Sequence, residues 1–363
     1  MNVLLFLLIL VVLILVHEYG HFVTAKWIGA KVEEFGIGYP PRALKLGKIK
    51  GTLFSLNWIP FGGFVKISGE QRDSDNDTDA DKDAFYLKPK GKQAIVMVAG
   101  VVANFLLAWL LISSSYFLGA PVAADVNDTS IKEQKLVITS INSESPADNA
   151  GLKVGDEILE VVLGGQSFSP KMPADFQSMV SFSEGKQLDL KIKRSGDEQN
   201  IVLSPEYDKE QNKSRIGVSI ERIGVKKINI FASLWQGLKT ASSITVATVV
   251  AFGNLIYGAI IGTADFSQIT GPVGIVKAVG DASGFGLSYL LSFTALISIN
   301  LVIINLLPIP ALDGGRLLFL AIEAIRGKNI RVKTAQIANT VGFFALILLM
   351  IIVTFKDIRH LVL

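Results

Sequence analysis

Residues 3–21, VLLFLLILVVLILVHEYGH, decide how this chain is read. Positions 3–16 carry no polar side chain, and His17-Glu18-Tyr19-Gly20-His21 then puts two imidazoles and a carboxylate into the same helix. Ionisable groups at membrane depth are costly and mark functional sites. Histidines at i and i+4 stand about one turn apart on one helical face. That spacing lets His17 and His21 grip one Zn2+, with the intervening Glu18 beside the metal as a general base. The 363-residue chain has 3 histidines, and two of them are in this motif.

Half of the residues, 50%, are hydrophobic and the mean hydropathy is +0.45. With apolar runs long enough to span a bilayer, this composition predicts an integral membrane protein. The net charge of +3 is small, and no basic cluster interleaved with aromatics points to nucleic acid. There are 0 cysteines, which excludes thiolate zinc ligands, disulfides and cysteine nucleophiles. The apolar N-terminus lacks a basic region and an A-x-A-like cleavage site, so it reads as a span and not as a signal peptide.

The hydropathy pattern predicts a polytopic α-helical membrane protein with about four transmembrane helices, at 2–24, 93–118, 287–308 and 337–355. Residues 30–67 alternate glycine, proline and β-formers and read as a β-loop of short strands and turns. The acidic run DSDNDTDADKD, 73–83, has carboxylates at alternate positions, but Thr78 stands where a calcium loop needs glycine. It reads as a solvated linker, part of an acidic stretch at 70–85. Residues 1–118 and 286–363 form the two halves of a membrane core, and 121–225 is an inserted polar domain. Residues 226–285 are membrane-associated. Within them, 230–262 is apolar but interrupted by Trp235, Lys239 and many Ser, Thr and Gly residues, and reads as a span or an interfacial amphipathic helix.

Charge orients these segments. The loop at 26–92 holds twelve Lys and Arg against nine acids, and 309–333 holds Arg316, Arg326, Lys328, Arg331 and Lys333. Both loops read as cytoplasmic, which places the N-terminus and 121–225 outside. A single crossing by 230–262 would put the two basic loops on opposite sides, so that segment is expected to lie against the membrane without crossing it once.

Two histidines leave a catalytic zinc site short of one protein ligand. The candidate is Asp313, in NLLPIPALDGGR (305–316), just past the third expected span and on the same side as His21. The local sequence equally allows Asp313 to be only the N-cap of the helix that follows.

HEYGH together with NLLPIPALDGG resembles the site-2 protease family of intramembrane zinc metalloproteases, and most closely its bacterial regulator of sigma-E protease group. IPFGGFVKISG (59–69), AGVVANF (99–105) and TGPVGIVKA (270–278) follow in the family's order. The chain departs from the family in reading Ala99-Gly100-Val101 where A-G-P is usual, and in carrying one PDZ-like module where some members have two. The resemblance implies that His17, His21 and Asp313 hold zinc and that Glu18 is the base. It also implies that Asn305 contacts the substrate backbone or the developing oxyanion; an interhelical hydrogen bond is the alternative. A helical substrate hides its peptide bonds and must be unwound onto a strand edge. Gly62, Gly63 and Phe64 fit such a substrate-binding edge, unless they form an ordinary hairpin tip.

VITSINSESPADNAGLKVGDEILEV (137–161) resembles a bacterial PDZ domain through Ser145-Pro146-Ala147, Ala150-Gly151-Leu152 and Gly155 to Leu159. Such a domain adds a peptide strand to a sheet edge, or serves here as a size filter; residues 135–141 are expected to supply the strand and the edge. The combined expectation is a zinc endopeptidase in the bacterial cytoplasmic (inner) membrane, multi-pass, with the PDZ-like domain extracytoplasmic and the metal towards the cytoplasm. Its partners are the lipid bilayer and single-span substrates, by resemblance anti-sigma factors or signal-peptide remnants. A membrane-anchored protease with a soluble catalytic domain fails because HEYGH ends an apolar span. A non-catalytic scaffold that recruits partners through the PDZ-like domain would need Glu18 and the three presumed ligands to be vestigial.

Overall fold

The computed structural model describes residues 2–70, 83–124, 131–142, 144–183, 185–194, 196–208, 213–263 and 270–362. All of the 73–83 acidic run except Asp83 lies outside the described residues. The chain falls into two compact units, residues 1–112, 236–279 and 293–363 in one, and 113–235 with 280–292 in the other.

Backbone groups in an apolar setting have no water to bond and must bond one another, which favours long helices. They are α1 (Asn2–Trp27), α2 (Lys90–Leu118) and, later in the chain, α5 (Ile230–Ile261), α7 (Leu287–Leu306) and α9 (Val332–Val362). Among the described residues these 5 are long and apolar enough to cross a membrane, by length and composition. The sequence led us to expect about four. The addition is α5, a single helix of 32 residues, about 48 Å long. Its polar residues do not break it because hydroxyls turn back onto the helix. Thr245 and Thr248 donate to the carbonyls of Ala241 and Ile244, each at 2.8 Å.

Between α1 and α2 runs a β-hairpin, β1 (Val32–Ile49) and β2 (Thr52–Ile67). Register shifts double its pairing: Phe35 faces both Val65 and Phe54, Gly36 both Phe64 and Ser55, and Ile37 both Gly63 and Leu56. Residues 34–37 therefore lie between 53–56 and 63–66. No strand among the described residues covers the outer side of 63–66. The hairpin is anchored to α1 by aromatic edges, with Phe22 5.5 Å from Phe35 and 5.8 Å from Phe54 between ring centroids. Ala25, Ile28, Val32, Val65, Val96 and Met97 complete this core, which joins the end of α1 to the start of α2. Farther along, Asp357 near the end of α9 accepts from the amides of Gly271 at 3.1 Å and Gly274 at 2.8 Å. A Cβ on Gly271 would stand 2.7 Å from the Asp357 carboxylate, and one on Gly274 would stand 2.5 Å from Thr270 Cγ2, which accounts for the two glycines of TGPVGIVKA. The Asp357 carboxylate also caps α6 (Pro272–Gly284).

The second unit contains β3 (Ala120–Ala123), β4 (Lys132–Ile141), α3 (Pro146–Asn149), β5 (Glu157–Leu163), β6 (Gln166–Phe168), α4 (Pro173–Phe182), β7 (Leu188–Arg194), β8 (Asp197–Leu203), β9 (Glu206–Asp208), β10 (Lys213–Arg215) and β11 (Val218–Lys226). Its main sheet has the order β3-β11-β4-β5-β7-β8, with β6 on β5. Alternating residues such as Leu188, Leu190 and Ile192 face one core with Ile138, Val161 and Phe176. The Ser145 hydroxyl caps α3 by accepting from the Asp148 amide at 3.3 Å. Asp156, fully buried, accepts from Arg194 at 2.6 and 2.7 Å and from the Lys153 amide at 2.8 Å, which accounts for the Gly155-Asp156 turn. One expectation is corrected. Residues 135–141 are not an edge, because β4 lies inside the sheet between β11 and β5. A cavity of about 390 Å³ lies between Phe176 and Val180 of α4 and residues 216–220.

Candidate metal centre

The spacing of HEYGH on α1 brings His17 and His21 together, their rings 4.7 Å apart between centroids and nearly perpendicular. The His17 and His21 Nε2 atoms are 3.0 Å apart. Asp313 Oδ2 completes a triangle, 3.0 Å from His17 Nε2 and 3.2 Å from His21 Nε2. The three donors are the one such group of His, Cys, Asp or Glu among the described residues. Ligands about 2.0–2.1 Å from a tetrahedral zinc stand roughly 3.3 Å from one another, so the donor set and its spacing fit that ion.

His21 and Asp313 are each aimed by the backbone around them. His21 Nδ1 donates to the Val96 carbonyl at 2.7 Å, which turns its Nε2 lone pair towards the other two donors. Asp313 is the first residue of α8 (Asp313–Arg326), and the N-cap is Leu312. The reading of Asp313 as merely the N-cap is thereby corrected: its carboxylate turns to the histidines. Just before it, Ala311 holds a left-handed φ of 77°, and its amide donates to Asn339 Oδ1 at 3.1 Å. Gly315 follows because a Cβ there would press within 2.7 Å of the Ile309 carbonyl carbon. Burial works to raise the Asp313 carboxyl, but the imidazoles of His17 and His21 beside it outweigh burial and hold the group well below the ordinary carboxylate range. One turn later Arg316 pairs with Glu70 at the end of the hairpin.

Gly63 of β2 lies against α1. A Cβ there would come 3.6 Å from Glu18 Cγ and 3.1 Å from the Gly36 carbonyl. Gly62 has φ 100° and lies under the Tyr39 ring, where a Cβ would stand 2.7 Å from Cε2; the Phe64 ring covers Gly36. The structure thus brings His17, His21 and Asp313 together and sets Gly63 of the 62–64 segment beside Glu18. Asn305, half-buried in the last turn of α7, bonds none of them.

Two glycines escaped the sequence reading. A Cβ on Gly100 of α2 would meet both His21 and His17, 2.7 Å from His17 Cε1, and one on Gly20 would lie 2.9 Å from Ala103 Cβ. Small residues at such spacing signal close helix approach in membranes, which is the pattern that would have found them. Gly100→Ala is expected to displace both imidazoles and weaken zinc binding about 10–100-fold, as loss of supporting contacts does elsewhere. Chelator competition measures it, and unchanged affinity would contradict this account of Gly100.

Comparison with known proteins gives the family. The profile described as Peptidase family M50 matches residues 5–349. A relative from Clostridium acetobutylicum, named provisionally as a zinc metalloprotease, is 33% identical over 362 residues, 99% of this chain and 98% of its own. Zinc metalloprotease RasP of Oceanobacillus iheyensis is 30% identical over 435 residues, 98% of each chain. The solved PDZ domain of an SdrC-like protein from Listeria innocua aligns with 24% of this chain at 24% identity and a TM-score of 0.20, too low to carry weight. Zinc is the cofactor of these named relatives. The chain belongs to peptidase family M50, the site-2 protease type of multi-pass membrane zinc metalloprotease.

Proposed function

We propose that the chain is a zinc-dependent intramembrane endopeptidase that cuts the transmembrane segments of single-span membrane proteins. The observation that carries this reading is the convergence of His17, His21 and Asp313 within 3.2 Å, beside Glu18 and an uncovered strand edge.

In this reading His17, His21 and Asp313 hold the metal. Zinc, when bound, supplies Lewis acidity that polarises a carbonyl and activates water at neutral pH. Glu18 takes the proton of the attacking water and returns it to the leaving amine. Gly62, Gly63 and Phe64 pair with the unwound substrate as an added strand, and the missing side chain of Gly63 leaves room beside Glu18. The Asn305 amide donates to the developing oxyanion.

The proposed topology has α1, α2, α7 and α9 crossing, with the metal towards the cytoplasm and 121–225 outside. Two bonds support it. The Ile228 amide donates to the Tyr116 carbonyl at 3.3 Å, and the Ser115 hydroxyl donates to the Ser288 carbonyl at 2.8 Å. Residues 228 and 288 therefore both meet the last turn of α2, and the segment between them returns to where it started. This return supports a segment, α5 included, that does not make a single crossing. The PDZ-like domain screens substrates from outside, its groove between α4 and 216–220 being where an extended peptide would add. Anti-sigma factors and signal-peptide remnants, both single-span, are the proposed substrate classes.

The test is cleavage of a detergent-solubilised single-span substrate by the purified full-length protein. Two glycines placed in the substrate helix lower its helical stability by about 2 kcal/mol and are expected to speed cleavage at least tenfold over an all-Leu segment. Equal rates would contradict unwinding onto the 62–64 edge.

A further inference from the structure

The packing of α1 on α2 leaves three buried polar atoms unexplained. Asn104, in α2, is 0% exposed, and neither its amide oxygen nor its amide nitrogen bonds any described residue. His17 Nδ1 is likewise buried without a partner. An amide sealed between helices is costly unless bonded. A metal-holding imidazole, for its part, almost always gives its second N–H to an oxygen. His21 follows that rule through Val96, whereas His17 has no direct bond that does so.

The two unmet needs come level in the packing of α1 on α2. Gly20 packs against Ala99 and Ala103, centred on about position 101 of α2, while His21 bonds Val96. Numbers that rise along α1 therefore fall along α2, and the helices are antiparallel. Both rise about 1.5 Å per residue, so three residues back from Gly20 is level with three residues forward from position 101. His17 comes level with Asn104. Gly100, one turn before Asn104 on the same helix, lies against the His17 ring. From the other side the Ser298 hydroxyl donates to the Asn104 carbonyl at 2.9 Å and fixes this turn of α2.

We propose that Asn104 is a positioning residue for His17. One buried water accepts the His17 Nδ1–H and donates to Asn104 Oδ1, which holds His17 Nε2 towards His21 and Asp313. This rests on His17 being a metal ligand, as proposed above. Buried waters occupy such places, bonding polar groups that otherwise lack partners.

The test uses full-length protein in detergent, with Asn104→Leu read against Asn104→Ser. Zinc affinity is taken from chelator competition, and the exchangeable imidazole N–H signals from NMR of the cobalt-loaded protein. Asn104→Leu is expected to weaken zinc binding about 10–100-fold. Asn104→Ser, which keeps an acceptor and leaves space for a second water, should recover affinity to within a few-fold. Wild type should show two protected N–H signals, of which Asn104→Leu alters only one. Folded Asn104→Leu with wild-type affinity and both signals unchanged overturns the proposal. If Asn104→Leu does not fold, the wild-type spectrum decides: a single protected N–H overturns it, and two, with near-native affinity for Asn104→Ser, support it. Wild type that binds no metal overturns the metal site itself and this inference with it, whereas wild-type affinity and unchanged signals in folded Asn104→Leu overturn this inference alone.

Discussion

Glu18→Gln is expected to lower kcat/KM for a single-span substrate by about 10³-fold while zinc stays bound. A positioned general base contributes roughly 10²–10⁴-fold, or about 3–5 kcal/mol at 1.36 kcal/mol per decade. Glutamine keeps the size of the side chain beside Gly63 and removes its ability to accept a proton. The metal should remain, because Glu18 is not among the three donors that converge. Initial rates and zinc content, measured on the same samples, check both halves. Retention of more than a tenth of the activity by folded, zinc-loaded Glu18→Gln would show that another group acts as the base.

Asp313→Ala separates a ligand from a helix start. If Asp313 served only α8, its loss would remove an acidic side chain from the first turn, worth about 0.3–1 kcal/mol, and zinc would bind as before. If it completes the triangle with His17 and His21, the metal is left with two imidazoles. The loss should then exceed the 10–100-fold typical of residues that merely support ligands. The expected result is more than 100-fold weaker zinc binding with little change in the melting temperature of the metal-free protein. Dialysis against a graded chelator reads the first quantity and thermal unfolding the second.

The sequence made one part of the site legible and hid the rest for identifiable reasons. His17 and His21 could be paired because the helical period alone puts i and i+4 together. Asp313, 296 residues from His17, could be named only as a candidate, since no local rule carries it there. The Val96 carbonyl that aims His21 is backbone and leaves no trace in side-chain pattern. The β-loop at 30–67 could be read from its strand-forming residues, but its doubled register could not. Register depends on bulges and on which face each residue meets. The misplaced edge has the same origin: 135–141 reads as a strand, but which strand lies at an edge is a property of sheet order. The segment at 230–262 looked broken because Ser, Thr and Gly interrupt its hydropathy. It forms one helix because Thr245 and Thr248 satisfy their hydroxyls on the preceding turn.

The most direct test of the central claim is product mass. Purified wild-type and Glu18→Gln proteins would be reconstituted in lipid vesicles with a single-span substrate, and the fragments weighed by mass spectrometry. The account predicts a cut inside the substrate's apolar segment, made by zinc-loaded wild type, abolished by zinc removal and absent with Glu18→Gln. Fragments that map only to the soluble flanks of the substrate, or cleavage unaffected by Glu18→Gln, would contradict it.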